Sequence, residues 1–145
     1  MSYEENLAAR RQTFKKILDA CSFYAVEDLQ ERMPTVGEGM KELLDAWEDS
    51  HRIFSVQGKK GRLYPRFEFN QYYQPLPIIY DVLSVLQEDD ELAIAGWFVF
   101  ENESVTTLVN GERVVIAPMD ALSDHQTILW AAKNERAKHL GGPPA

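Results

Sequence analysis

The chain has 145 residues, 45% of them apolar, 11% aromatic and 26% charged. These proportions exclude a disordered, collagen-like or disulfide-stapled polypeptide and suffice for one ordinary domain or two very small ones. The formal charge of −8 is unevenly spread: residues 1–66 carry 11 Lys+Arg against 11 Asp+Glu, whereas residues 67–145 carry 4 against 12. No run reaches the roughly 18 apolar residues of a membrane span, and the acidic start is unlike a signal peptide, so a soluble cytoplasmic protein is expected. The single cysteine, Cys21, forms no internal disulfide and lacks the company of a zinc site; packing is its expected role.

From about Glu5 to Phe23, Leu7, Phe14, Ile17, Leu18 and Cys21 recur at helical spacing, which predicts an amphipathic helix. A short second helix is expected from Val26 to Met33, stopped by Pro34, because proline disfavours the helical conformation in the residue before it. Thr35-Val36-Gly37-Glu38 has the form of a capping box. It predicts a third helix from Val36 to Asp49 with Val36, Met40, Leu43, Leu44 and Trp47 on its apolar stripe. Ile53 to Val56 and Leu63 to Tyr64 then bracket the glycine-rich basic segment Gln57 to Arg62, a predicted β-hairpin. The prolines at 65, 75 and 77 make residues 65–77 the best candidate boundary.

Pro77 suits the first position of a helix running to about Glu88. Leu92 to Phe100 is apolar throughout, so periodicity leaves helix and strand open there, with Ala93, Ala95 and Trp97 leaning to helix. Val105 to Val109 and Glu112 to Ile116 flank Asn110-Gly111, whose tolerance of positive φ predicts a second hairpin. Ser123 with Gln126 forms a second potential capping box, opening a last helix to about His139, and Gly141-Gly142-Pro143-Pro144 is expected to end the ordered chain. The expected fold is mainly α with two short β-hairpins (α+β): a helix-turn-helix, winged-like part (1–66) with a basic hairpin, then a small acidic helical domain (67–145).

Catalytic chemistry needs convergent groups, and His51, His125 and His139 are scattered without metal-binding spacing. Cys21 with a distant histidine is conceivable as a nucleophile pair, but its place on an apolar stripe favours a buried, inert thiol. Glu88-Asp89-Asp90-Glu91 is either a cation site or a solvated turn. Neither a metal nor a cofactor is therefore expected. Lys59, Lys60, Arg62 and Arg66 lie within one hairpin and can contact successive phosphates, which supplies affinity without sequence information. The third helix, with Glu38, Glu42, Asp45, Glu48 and Asp49 against Lys41, is repelled by a phosphate-lined groove.

The run from Trp47 through Ile53-Phe54-Ser55-Val56 to Gly61-Arg62-Leu63-Tyr64-Pro65-Arg66-Phe67-Glu68-Phe69 resembles the junction in bacterial antitoxins of the Xre/MbcA/ParS type. In that family a hairpin leads into a Tyr-Pro-x-Phe-Gln-Phe motif. Pro77, Val82-Leu83, Trp97-Phe98, Asn102, Leu108, Pro118, Ala121-Leu122 and Ala131-Ala132 are similar to its toxin-binding domain, so the likeness covers about residues 40–135. Two departures stand out: Glu68 occupies the glutamine position, and Val105 to Ile116 replaces a short Leu-Gly-Gly loop.

The resemblance implies a non-enzymatic antitoxin whose second part occludes a cognate toxin, commonly of the NAD-degrading RES class, and whose first part binds operator DNA, as in autoregulation, or mediates assembly; homo-oligomers are common in the family. By motif position it assigns toxin contact to Trp97, Asn102 and the last helix from His125 to Arg136. Trp97 has a competing reading as core. A stand-alone winged-helix regulator or adaptor without a toxin, and then an enzyme, are the alternatives. The antitoxin account treats the two halves as separate docking surfaces on a chain that performs no turnover, and a single deep cavity gathering polar side chains from both would end it.

Overall fold

A computed structural model describes residues 2–140; the expected chain-terminating Gly-Gly-Pro-Pro segment lies outside them. The described residues form six α-helices and five strands. Helix α1 (Tyr3–Ala20) starts two residues earlier than the periodicity indicates, because the Ser2 hydroxyl accepts from the Glu5 amide and caps it. It stops before Phe23–Tyr24, which form strand β1. Next come α2 (Val26–Arg32), ending before Pro34 as expected, and α3 (Met40–Asp49). The Thr35 capping box does not form: Gly37 sits at φ 56°, a 3-10 turn occupies Gly37–Gly39, and no side chain caps either segment. Helix α3 thus begins four residues later than predicted. Its stripe survives in the buried Met40, Leu44 and Trp47.

Strands β2 (Val56–Gln57) and β3 (Arg62–Pro65) form the first hairpin. β1 pairs antiparallel with the far side of β3 through Phe23↔Pro65 and Tyr24↔Tyr64, giving the sheet order β1-β3-β2. β1 escapes sequence reading because two residues are too short for a period-two pattern. Residues 65–77 are no inert linker. Arg66–Glu68 form a 3-10 turn, Glu68 and Phe69 are buried, and Phe69 bridges to Pro75.

Helix α4 (Pro77–Leu86) opens on Pro77 and ends where Gln87 adopts a left-handed conformation at φ 50°. The ambiguous apolar run is helix α5 (Glu91–Val99), capped by the Asp90 carboxylate accepting from the Leu92 amide at 3.0 Å. Ile94, Ala95, Trp97, Phe98 and Val99 are all buried, which explains the missing polar face. β4 (Asn102–Val109) and β5 (Glu112–Ile116) form the second hairpin, with Asn110 and Gly111 at φ 52° and 82°. Helix α6 (His125–His139) closes the described chain. Its cap is Asp124, accepting from the Thr127 amide at 3.3 Å, and not the predicted Ser123 box.

Two hydrophobic clusters hold these elements. The smaller joins Leu29, Met40, Leu44, Trp47, Ile53, Tyr64 and Phe69. The larger takes Ile17, Phe54 and Val56 from the first half and packs them with the apolar faces of α4, α5 and α6. Phe54 stacks on Phe98 at 5.4 Å between centroids, and both meet Phe67. The main core therefore straddles the expected 66/67 division, because the large apolar surface of α5 needs cover from α1 and β2. A bidentate pair from Arg10 to Asp90, at 2.9 and 3.1 Å, also links the halves at the surface.

Candidate functional site

Of the four cations assigned to the basic hairpin, the structure leaves two at the tip without a partner. Lys59 and Lys60 are exposed in the turn, and neither makes an ion pair among the described residues. Arg62 is committed elsewhere: its Nη2 donates to Glu91 Oε2 at 2.6 Å and to the Ser55 carbonyl at 3.0 Å, and its Nε donates to the Ser55 hydroxyl at 2.9 Å. The same Glu91 carboxylate accepts from the Gln57 amide at 3.0 Å, clamping β2 to the start of α5. Arg66 lies over the Tyr24 ring at 4.7 Å, a cation–π contact at the other edge of the sheet. Of the four cations expected to contact phosphate, Arg62 is held in an ion pair and Arg66 lies over a ring, while the two lysines make no ion pair among the described residues.

Behind this clamp lies an open cleft of about 760 Å³ at the seam of the two halves. Its polar lining comes from both: Glu48, His51, Ser55 and Arg62 from one side, Ser84, Gln87, Glu88, Asp89 and Glu91 from the other. The two halves therefore share this cleft, which is open and not a single deep cavity. Four carboxylates face one guanidinium there, and α4 ends at the cleft, adding the partial negative charge of a helix C-terminus. Ser55 is buried, donates its hydroxyl to Glu48 and accepts from Arg62; both partners fix it in the wall. Among the described residues no cluster of His, Cys, Asp and Glu has metal-binding geometry.

Beneath the cleft, Glu68 is fully buried. One carboxyl oxygen accepts from the Phe54 amide at 2.6 Å, while the other has no partner among the described residues. Burial drives its pKa well above 4.5, outweighing the Phe54 hydrogen bond, which favours the ionised form. Desolvation, helped by Glu68, also lifts the Cys21 thiol to about 11. Cys21 should consequently react with iodoacetamide at pH 8 roughly two orders of magnitude more slowly than a free cysteine, because only the thiolate attacks. Mass spectrometry of the time course checks this, and alkylation at the rate of a free thiol contradicts the burial.

The residues assigned to toxin contact are dispersed. Trp97 is 9% exposed and packs edge-on against Phe98, so it is a core residue. The Asn102 side-chain oxygen accepts from the Ser104 amide at 2.8 Å and shapes the entry to β4. His125 is exposed at the first position of α6, and Arg136 is half-buried in its last turn. Eleven helical residues separate these two by about 16 Å along the axis. Motif position does not reveal whether a side chain points inward, and here Trp97 does.

What sequence reading missed in this half is the reach of the second hairpin. Val105 is buried and Ile116 half-buried at its base, where Asn134 Nδ2 also donates to the Ser104 hydroxyl at 3.2 Å. Beyond them Leu108, Val109 and Val114 are 64%, 50% and 40% exposed. With Leu108↔Arg113 and Thr107↔Val114 in register, Leu108 projects from one face of the arm and Val109 and Val114 from the other. The Asn-Gly signal predicts such a hairpin, but not that its outer half extends past the core. Among the described residues no helix is long and apolar enough to cross a membrane. No family model matches this chain, and neither a curated protein nor a solved structure is significantly similar to it.

Proposed function

We propose that the chain is a non-enzymatic, antitoxin-like protein whose second half binds and occludes a cognate toxin, with a RES-type, NAD-degrading enzyme as the partner class. The observation that carries this reading is the β4–β5 arm, where Val109 and Val114 stand in solvent together on one face of a two-stranded ribbon and Leu108 on the other. Grouped exposed apolar residues with a charged surround mark protein interfaces. Glu112 stands opposite Val109 near the tip, and Glu101 and Glu103 are exposed at the base of the arm, against the single cation Arg113 opposite Leu108. The net acidity of the arm complements the basic cleft expected of a dinucleotide-degrading toxin and would speed encounter.

The first half supports an assembly or operator-binding role. Its order α1-β1-α2-α3-β2-β3, with β3 central in the sheet, supports the reading of a helix-turn-helix with a wing. Glu42, Asp45 and Asp49 are exposed on α3, and Lys41 is paired with Asp45 at 2.8 Å, so phosphate contact falls to Lys59 and Lys60. The unpaired lysines at the wing tip favour a second reading, a stand-alone DNA-binding regulator without a toxin.

Co-expression with the product of the neighbouring reading frame separates the two. The antitoxin reading expects a co-eluting complex and rescue of growth. A double change Val109→Asp, Val114→Asp should weaken the complex about 30-fold or more, as loss of interface anchors does, with an unchanged circular dichroism spectrum. Absence of co-elution overturns the reading. A promoter shift abolished by Lys59→Ala with Lys60→Ala, without co-elution, establishes the regulator instead.

A further inference from the structure

We propose that the groove between α1, the start of α2 and the β2–β3 turn binds a small amphiphile with one apolar chain and one anionic head, such as a medium-chain carboxylate. The groove encloses about 640 Å³, within the range of small-molecule pockets, roughly 300–1,000 Å³. Its walls are apolar: Phe14 and Leu18 from α1, Ala25 and Val26 at the entry to α2, and Leu63 on β3. Leu18 is 39% exposed, although it belongs to the sequence-predicted stripe, because no element among the described residues covers this side of α1.

The turn builds the remaining wall. Gly58 donates to the Gly61 carbonyl at 2.9 Å and lies so close to Leu63 that a Cβ there would come within 2.9 Å of Cδ1. Only glycine lets the turn fold down onto Leu63 and close this end of the groove. Four ionisable side chains line it: Lys59, Lys60 and Arg62 against Glu27. Arg62 is neutralised by Glu91, which leaves two unpaired ammonium groups beside an otherwise apolar space, an arrangement that selects an anionic head on an apolar body.

The same lining disfavours a peptide. A backbone brings an amide and a carbonyl at every residue, and each needs a partner when buried. Here the Ala25 amide is already used by Asp28 at 2.8 Å and the Gly58 amide by Gly61. A ligand whose polar atoms sit at one end meets no such cost. The proposal is independent of the toxin reading, since the groove lies in the first half and away from the arm.

Calorimetric titration of the full chain with dodecanoate, below its micelle concentration, should show saturable one-to-one binding. Dodecyltrimethylammonium, with the same chain and the opposite head, should bind at least about tenfold more weakly. Changing Lys59 and Lys60 together to glutamine should weaken dodecanoate about tenfold, the combined effect of two exposed charge pairs. Leu18→Asp, at an exposed helix position that tolerates charge, should abolish binding with an unchanged circular dichroism spectrum. Lack of saturable binding, equal binding of the cationic amphiphile, or unaffected binding in either variant overturns the proposal. So does binding of duplex DNA or of a short acidic, leucine-containing peptide where dodecanoate does not bind.

Discussion

Replacing Glu68 by glutamine is expected to flatten the fall in stability on the alkaline side. In the unfolded chain this carboxyl loses its proton near 4.5, while burial in the fold holds the proton to much higher pH. Above about 4.5 the unfolded state therefore binds fewer protons than the folded one. The contribution of Glu68 is complete below that pH and is lost progressively as pH rises toward the folded pKa, at no more than about 1.4 kcal/mol per pH unit. Glu68→Gln keeps an acceptor for the Phe54 amide and removes the titration. Its amide nitrogen adds unpartnered donors that cost about 1–3 kcal/mol. The variant should accordingly be less stable than the parent at pH 5 and more stable in the alkaline range, with urea denaturation curves crossing between. Parallel pH profiles would show that Glu68 does not carry a buried proton.

Phe98→Ala should have the larger effect at neutral pH. Phe98 is fully buried, stacked on Phe54, 5.2 Å from Phe67 and 5.0 Å from Trp97 between ring centroids. Truncating such a ring costs about 3–5 kcal/mol through lost transfer energy and the cavity left behind. That is a large fraction of the roughly 5–15 kcal/mol that stabilises a domain. Because Phe54 belongs to the first half, the loss should lower the stability of the whole chain, with one cooperative transition in both parent and variant. Fluorescence from Trp47, in the smaller cluster, should report the same midpoint as far-ultraviolet circular dichroism. Two separated transitions would instead establish two independently folding parts joined near residue 66.

The stacked ring pair also marks the limit of what a linear reading reveals. Trp97 and Phe98 are neighbours in a run without polar interruption, so periodicity alone left the run open between helix and strand. The structure makes it α5 and buries both aromatic rings. The residues of the basic hairpin show the same limit through charge. Arg62 resembles Lys59 and Lys60 in sequence, yet its guanidinium reaches Glu91, 29 residues away, and is withdrawn from any external phosphate. Capping was misplaced for a local reason: at the start of α6 the aspartate one residue on takes the role of the serine, and at α3 a left-handed Gly37 intervenes before the helix begins.

The amino-acid order by itself determined the helical stretches with strong apolar spacing, the Pro77 start of α4 and the Asn110-Gly111 turn, because each depends on residues within one or two turns of chain. It also determined the concentration of carboxylates after residue 66. Tertiary packing alone decided that the halves share a core and a polar cleft, that Trp97 lies inside while Leu108 lies outside, that Glu68 is dehydrated, and that among the described residues Arg62 alone of the four hairpin cations is held in an ion pair. Burial and pairing depend on which distant surface comes to cover a side chain, and no local pattern encodes that.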